Sequence, residues 1–79
     1  MYTVYVLRSE KTGRRYVGST GDMERRFREH QGGRNKATRH GVPWRLVYTE
    51  EYSDRAEAVR RERYLKTGVG REELDEMGV

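Results

Sequence analysis

Two tyrosines, an arginine and a histidine one helical turn apart, and a glutamate near the C-terminus are the residues of this chain best suited to concerted chemistry. They are Tyr5, Tyr16, Arg26, His30 and Glu62. Phenols, an imidazole and a carboxylate exchange protons, and a guanidinium counters developing negative charge. Each of the five is polar or half-polar, yet each falls where hydrophobic periodicity predicts a residue facing the core. Reactive groups turned inward together on one cleft are what a small active site needs.

The elements that must position them can be read from spacing and punctuation. Residues 2 to 8 alternate, with Tyr2, Val4 and Val6 on one face and Thr3, Tyr5 and Leu7 on the other, which predicts a strand covered on both faces. Residues 9 to 13 read as a hairpin turn ending in Gly13, and Arg15-Tyr16-Val17 as the partner strand, so that Tyr5 and Tyr16 lie close across the pair. Gly18 to Asp22 breaks that strand and offers Thr20 or Asp22 as the N-cap of a helix running to about His30. On it Met23, Arg26, Phe27 and His30 share one stripe. A loop from Gly32 to Pro43 leads to a third strand, Trp44 to Glu50, with Pro43 at its entry. A second helix should start at Ser53 or Asp54, with Asp54 and Glu57 as a capping box, and end near Thr67. Its apolar arc is Ala58, Val59 and Leu65, and Glu62 projects into the middle of it. Beyond Gly68-Val69-Gly70 the sequence reads as a short amphipathic tail carrying Leu74 and Met77.

Composition limits what these elements can make. At 79 residues the chain has room for one domain, residues 1 to 79, and a modest core. Charged residues make up 38% and apolar residues 33%, but the apolar ones cluster into periodic segments, so the chain is foldable. Cysteine is absent, which removes disulfides, thiolate metal sites and a cysteine nucleophile. No run approaches the roughly 18 apolar residues of a membrane span, and the first ten residues lack the order of a signal peptide, so a cytoplasmic protein without membrane association is expected. The net charge of +4 hides an asymmetry: acids concentrate in the last third, whereas basic residues dominate residues 8 to 45. A basic side with Tyr16, Trp44 and Tyr48 interleaved suits a phosphate backbone with occasional base stacking, and Lys11, Arg14, Arg15, Arg34, Lys36 and Arg39 are the candidate contacts.

Every one of these residues also has a plain structural reading. Tyr5 and Tyr16 can be ordinary strand aromatics, Arg26 and His30 a surface pair, and Glu62 a salt-bridge partner of Arg26. His40 reads as solvated and Trp44 as a core anchor. Ser19 and Thr20 read as caps and not as nucleophiles, since no aspartate–histidine relay stands beside them. The order and spacing of the whole set favour the chemical reading.

That order resembles the GIY-YIG nuclease domain family over nearly the whole chain. The resemblance is carried by Val4-Tyr5-Val6 on a first strand, Tyr16-Val17-Gly18 on a second, Arg26-Phe27-Arg28-Glu29-His30 on a helix, and Glu62 within Arg61-Glu62-Arg63-Tyr64-Leu65-Lys66. The loop Asn35-Lys36-Ala37-Thr38 before Pro43-Trp44, and residues Leu65 to Arg71, are similar to the small stand-alone bacterial members. The chain departs from the family in two places. Val4-Tyr5-Val6 carries no glycine, and the asparagine that some DNA-repair members place after the metal glutamate has no counterpart, Asn35 being the only asparagine.

The resemblance implies an α/β (α+β) fold with a small three-stranded antiparallel sheet flanked by helices, and an endonuclease hydrolysing phosphodiester bonds in nucleic acid, DNA before RNA. It implies one Mg²⁺ or Mn²⁺ at Glu62, with water and substrate phosphate completing the shell. It further implies Tyr5 as general base, Tyr16 as a positioning partner, Arg26 opposite the phosphoryl charge, and His30 orienting the tyrosine or shuttling a proton. No recognition helix or zinc finger is present, so low sequence specificity is expected, with a protein partner as its other source. A monomer or weak dimer is expected. The competing reading is a nucleic-acid-binding module that keeps the fold but cuts little or not at all.

Overall fold

A computed structural model describes residues 1–79. The alternation in the first segment builds β1, Tyr2–Ser9, and the turn closed by Gly13, whose φ of 77° suits glycine, returns the chain as β2, Arg15–Thr20. The later strand β3, Trp44–Tyr52, runs two residues past the predicted Glu50 and pairs with the other side of β1. The order is β2-β1-β3, all antiparallel, with a bulge on β3 opposite Val6 and Leu7. This is the three-stranded antiparallel sheet expected, and β1 at its centre is covered on both faces.

Helices divide the two faces. Helix α1, Met23–Gln31, is capped by Asp22, whose carboxylate accepts from the Arg25 N–H at 3.1 Å. Together with the Trp44 region it covers Tyr5 and Leu7, with Tyr16, Met23, Phe27 and Val42 packed around them. On the opposite face Val4, Val6 and Val17 pack against Ala58, Leu65 and Leu74 of two further helices. Full burial of a leucine stabilises by about 1.5–3 kcal/mol, so Leu65 and Leu74 are the main anchors there.

Two local expectations need correction. Helix α2, Arg55–Leu65, is capped by Asp54, but the carboxylate takes the Ala56 N–H at 2.8 Å, so Asp54 and Glu57 form no capping box. The segment read as a tail is a full helix, α3, Gly68–Met77. Its glycines suggest a turn by propensity. Packing overrides this: α3 starts so close to the end of α2 that a side chain at Gly70 would collide with the Tyr64 carbonyl and the Leu65 backbone, and the Thr67 hydroxyl caps the Gly70 N–H. Arg61 then pins three elements, reaching Glu50 on β3 at 2.9 Å and Glu73 on α3, while the Tyr48 and Tyr52 hydroxyls donate to the same Glu50. The loop from Gly32 to Pro43 holds a single 3₁₀ turn at Arg39–Gly41.

Candidate active site

Strand pairing places Gly18 directly opposite Tyr5, and the Tyr5 ring lies across the space a side chain at Gly18 would fill. Tyr16, two residues back on the same face, brings its ring centroid to 6.3 Å from that of Tyr5. The last full turn of α1 delivers His30 between them, at 5.7 Å from Tyr5 and 5.1 Å from Tyr16. Tyr5 and His30 are fully buried, and Tyr5 Oη lies 2.8 Å from His30 Nε2. On its other side His30 Nδ1 lies 2.7 Å from the hydroxyl of Thr38, itself buried. The helix stripe therefore placed His30 correctly, and the cost of burying an imidazole is met by partners at both nitrogens.

Burial pushes the Tyr5 phenol up to about 12, with the neighbouring Arg26 guanidinium opposing the rise and Tyr16 adding to it. Burial and the Arg26 charge lower the His30 pKa below the usual imidazole value, so His30 is neutral at pH 7. Arg26 is half-exposed and donates to Glu29 at 3.0 Å. Its pairing with Glu62, one of the plain structural readings, does not occur.

Glu62 approaches from the other face of the sheet. Val17 and Ser19 point toward α2, whereas Tyr16 and Gly18 point toward α1. The Ser19 hydroxyl donates to Glu62 Oε1 at 2.5 Å, and Lys66 Nζ donates to Oε2 at 2.7 Å. The same Lys66 ammonium stands 5.8 Å from the Tyr16 ring centroid, so it joins the two halves across the edge strand β2. Glu62 also lines an open cleft of about 680 Å³, in company with Arg25 and Arg26 of α1, Arg55 of α2 and Ser19 and Thr20 of β2. The five predicted residues thus gather around one edge of the sheet, three of them as an aromatic–imidazole cluster and two on the cleft beside it.

No three His, Asp or Glu side chains are arranged as a metal cage. What Glu62 offers is one carboxylate, held by a hydroxyl on one oxygen and already attracting an ammonium on the other. That donor set fits a hard cation whose other ligands are water and substrate phosphate, as Mg²⁺ prefers. The reading of Ser19 as a cap needs correction: Asp22 caps α1, and the Thr20 hydroxyl closes a turn onto the Asp22 N–H at 3.1 Å.

The predicted phosphate contacts separate into two groups. Lys11, Arg14, Arg34, Lys36 and Arg39 are exposed and form no ion pair. Arg15 is engaged elsewhere, bonded to Asp75 and to the Val79 carbonyl, each at 2.6 Å. It nevertheless lines a smaller pocket with Tyr16, Lys66 and Arg71 that holds three cations and no carboxylate. His40 is exposed and Trp44 buried, as their plain readings require. Sequence reasoning passed over Ser19, Lys66, Arg55 and Thr38 as site residues. Lys66 had a signal, the i,i+4 spacing from Glu62; Thr38, in an aperiodic loop, had none.

A family model described as the GIY-YIG catalytic domain matches residues 1–74. A UPF0213 protein of Halobacterium salinarum is 40% identical over 67 residues, covering 84% of this chain and 86% of that protein. A Pseudomonas aeruginosa UPF0213 protein is 39% identical over 66 residues, and the chain spans 62% of its length. The structure-specific endonuclease subunit slx1 of Schizosaccharomyces pombe is 43% identical over 51 residues, 57% of this chain and 19% of that one. The solution NMR structure of a UPF0213 protein from Bacillus halodurans superposes with a TM-score of 0.59 at 34% identity, covering 98% of this chain and 85% of that one.

Proposed function

The chain belongs to the GIY-YIG family, and from that premise we propose that it is a divalent-metal-dependent endonuclease acting on nucleic acid, DNA before RNA, with low intrinsic sequence specificity. The observation that carries this reading is the 2.8 Å bond between two fully buried groups, the Tyr5 phenol and the neutral His30 imidazole, beside a cleft that holds Arg26 and Glu62. A phenol pushed up to about 12 is a poor base alone. A neutral imidazole at hydrogen-bond distance changes that, because Tyr5 can pass its proton to His30 Nε2 while taking one from the attacking water. Arg26 then faces the charge developing on the phosphoryl oxygens, and Tyr16 helps to position water or phosphate.

Glu62, held by Ser19, would bind the ion, which supplies Lewis-acid stabilisation of the phosphoryl oxygens and of the leaving group. Arg25 and Arg55 on the cleft, which also carries Asp22 and Glu29, and Lys66 and Arg71 in a second pocket offer cations on both sides of Glu62 for successive phosphates. The fission-yeast relative, named as a subunit of a structure-specific endonuclease, supports the nuclease reading and makes substrates of differing structure worth including.

Nicking of supercoiled plasmid in Mg²⁺ or Mn²⁺ tests the proposal, alongside a screen of duplex, single-stranded, branched and RNA substrates. The parent should nick, and Glu62→Gln, isosteric and able to keep the Ser19 bond, should retain its fold and lose cleavage by at least about 100-fold. Equal rates for parent and variant would remove Glu62 from the chemistry. Binding without cleavage by the parent would support the binding-module reading instead.

A further inference from the structure

The hydrogen-bond chain does not end at His30. A neutral imidazole has one donor and one acceptor nitrogen, so the contacts at Nε2 and Nδ1 must run in one direction through the ring. Either Tyr5 donates to Nε2 and Nδ1–H donates to Thr38, or Thr38 donates to Nδ1 and Nε2–H donates to Tyr5. A phenol, with a reference pKa of about 10, is a far stronger donor than an aliphatic alcohol, and the Arg26 guanidinium beside the buried Tyr5 hydroxyl can only donate to it, which leaves the ring nitrogen as the acceptor of the phenol proton. The first direction therefore gives the stronger bonds.

We infer that Thr38 is a positioning residue: its hydroxyl accepts the proton of His30 Nδ1 and so leaves Nε2 free to receive the proton of Tyr5. This rests on the reading of Tyr5 and His30 as the proton-transfer pair, and assigns a role to a loop residue that touches neither substrate nor Tyr5. The loop is built to hold it. The Thr38 carbonyl accepts from the Trp44 indole at 2.8 Å and from the Gly41 N–H at 3.0 Å, and its N–H donates to the Asn35 carbonyl at 3.1 Å. Trp44 is in turn fixed by Gln31, whose side-chain oxygen accepts the Trp44 N–H at 2.6 Å, and Gly41 by Ser9, whose hydroxyl donates to its carbonyl at 2.5 Å. Both ends of the loop thus fix the backbone of Thr38, and its hydroxyl meets a ring that α1 holds still. The proton step balances within this set: water loses a proton to Tyr5 Oη, Tyr5 loses its own to Nε2, and the Nδ1 proton stays on the imidazole, hydrogen-bonded to Thr38 throughout.

The test is the tautomer of His30 in ¹⁵N-labelled protein, assigned against His40→Gln, combined with single-site kinetics. The parent should show the Nδ1–H tautomer. Thr38→Val, which keeps the shape but cannot accept, should move His30 toward Nε2–H and lower kcat by about 10- to 100-fold, a part of what general acid–base catalysis supplies, with KM and salt-dependent binding within about twofold. Thr38→Ser should restore both the tautomer and the rate. The inference is overturned by an Nε2–H tautomer in the parent, by a Thr38→Val enzyme that cuts at the parental rate, or by a serine variant as impaired as valine. Should the valine variant fail to fold, the parental tautomer and the serine variant decide. A parent that cuts no nucleic acid would refute the nuclease reading, while the tautomer and its dependence on Thr38 still decide the inference.

Discussion

Replacing Gly18 by alanine would test whether the glycine of Tyr16-Val17-Gly18 exists to seat the phenol proposed as the base. A Cβ at position 18 would stand 2.6 Å from Tyr5 Cζ and 3.1 Å from Cε1, with the hydroxyl oxygen nearer still. Carbon atoms rest at about 3.5–4.0 Å, so the ring must retreat by about 1 Å. It can do so only at the expense of its neighbours, because Tyr5 is fully buried between the Tyr16 and His30 rings. The retreat breaks the 2.8 Å bond to His30, and a 1 Å misplacement of a catalytic group costs about 100-fold in rate. Overpacking adds about 1–3 kcal/mol of destabilisation. The assay is plasmid nicking per folded molecule, with circular dichroism for Tm and filter binding for affinity. Gly18→Ala should fold with lowered Tm, bind DNA within about threefold of the parent, and cut about 100-fold more slowly. Gly13→Ala is the control: its Cβ meets nothing within 4 Å but its φ is 77°, so it should lose stability and keep its rate. A Gly18→Ala enzyme cutting within threefold of the parent would refute the reasoning.

Glu50 predicts an acid transition: burial opposes its ionisation, but hydrogen bonds from Arg61, Tyr48 and Tyr52 hold it down to about 2 against an ordinary 4.5. A depressed carboxylate contributes stability above its unfolded pKa, so up to about 3 kcal/mol, less at a half-solvated pair, should vanish between pH 4.5 and pH 2. Urea midpoints measured down that range should fall, and Glu50→Gln should flatten the fall; a parallel fall in the variant would clear Glu50 of the effect. Binding and chemistry should also separate: removing Arg14 or Lys36, exposed and unpaired, should weaken DNA binding and reduce its salt slope by about 1 each, whereas Tyr5→Phe should bind as the parent does and cut slowly. Equal loss of affinity in Tyr5→Phe would collapse that division.

The parts of the fold visible in the sequence are those set by local periodicity. Alternation in β1 announces a strand buried on both faces, and the stripe Met23, Arg26, Phe27, His30 announces a helix that turns a histidine inward. What local patterns could not show was decided by contacts distant in sequence. Gly68 and Gly70 argue against a helix by propensity, and only the close pass over Tyr64 and Leu65 explains the glycine at position 70 inside α3. Ser19 looks like a cap because it precedes a helix, yet strand parity turns it toward α2, where Glu62 waits 43 residues later. Thr38 lies in a loop with no period at all, and its meaning arises only when His30 is brought against it.

The placement of the site follows from the size of the core. The sheet has three strands, so β1 alone is interior, and its two faces must nucleate both hydrophobic clusters. Tyr5 belongs to one of those clusters and carries the phenol proposed as the base, so the ring that stabilises is also the ring proposed to react. A chain this small cannot build a core and then lay a site over it. Its route to a buried phenol close to the surface is to place the phenol beside an edge strand and thin that strand at one position. Gly18 is the thinning, β2 is the edge, and Glu62 and Arg26 sit on the open cleft beside it. The tyrosine triplet is therefore a packing motif first, and its chemistry follows from what the packing leaves within reach.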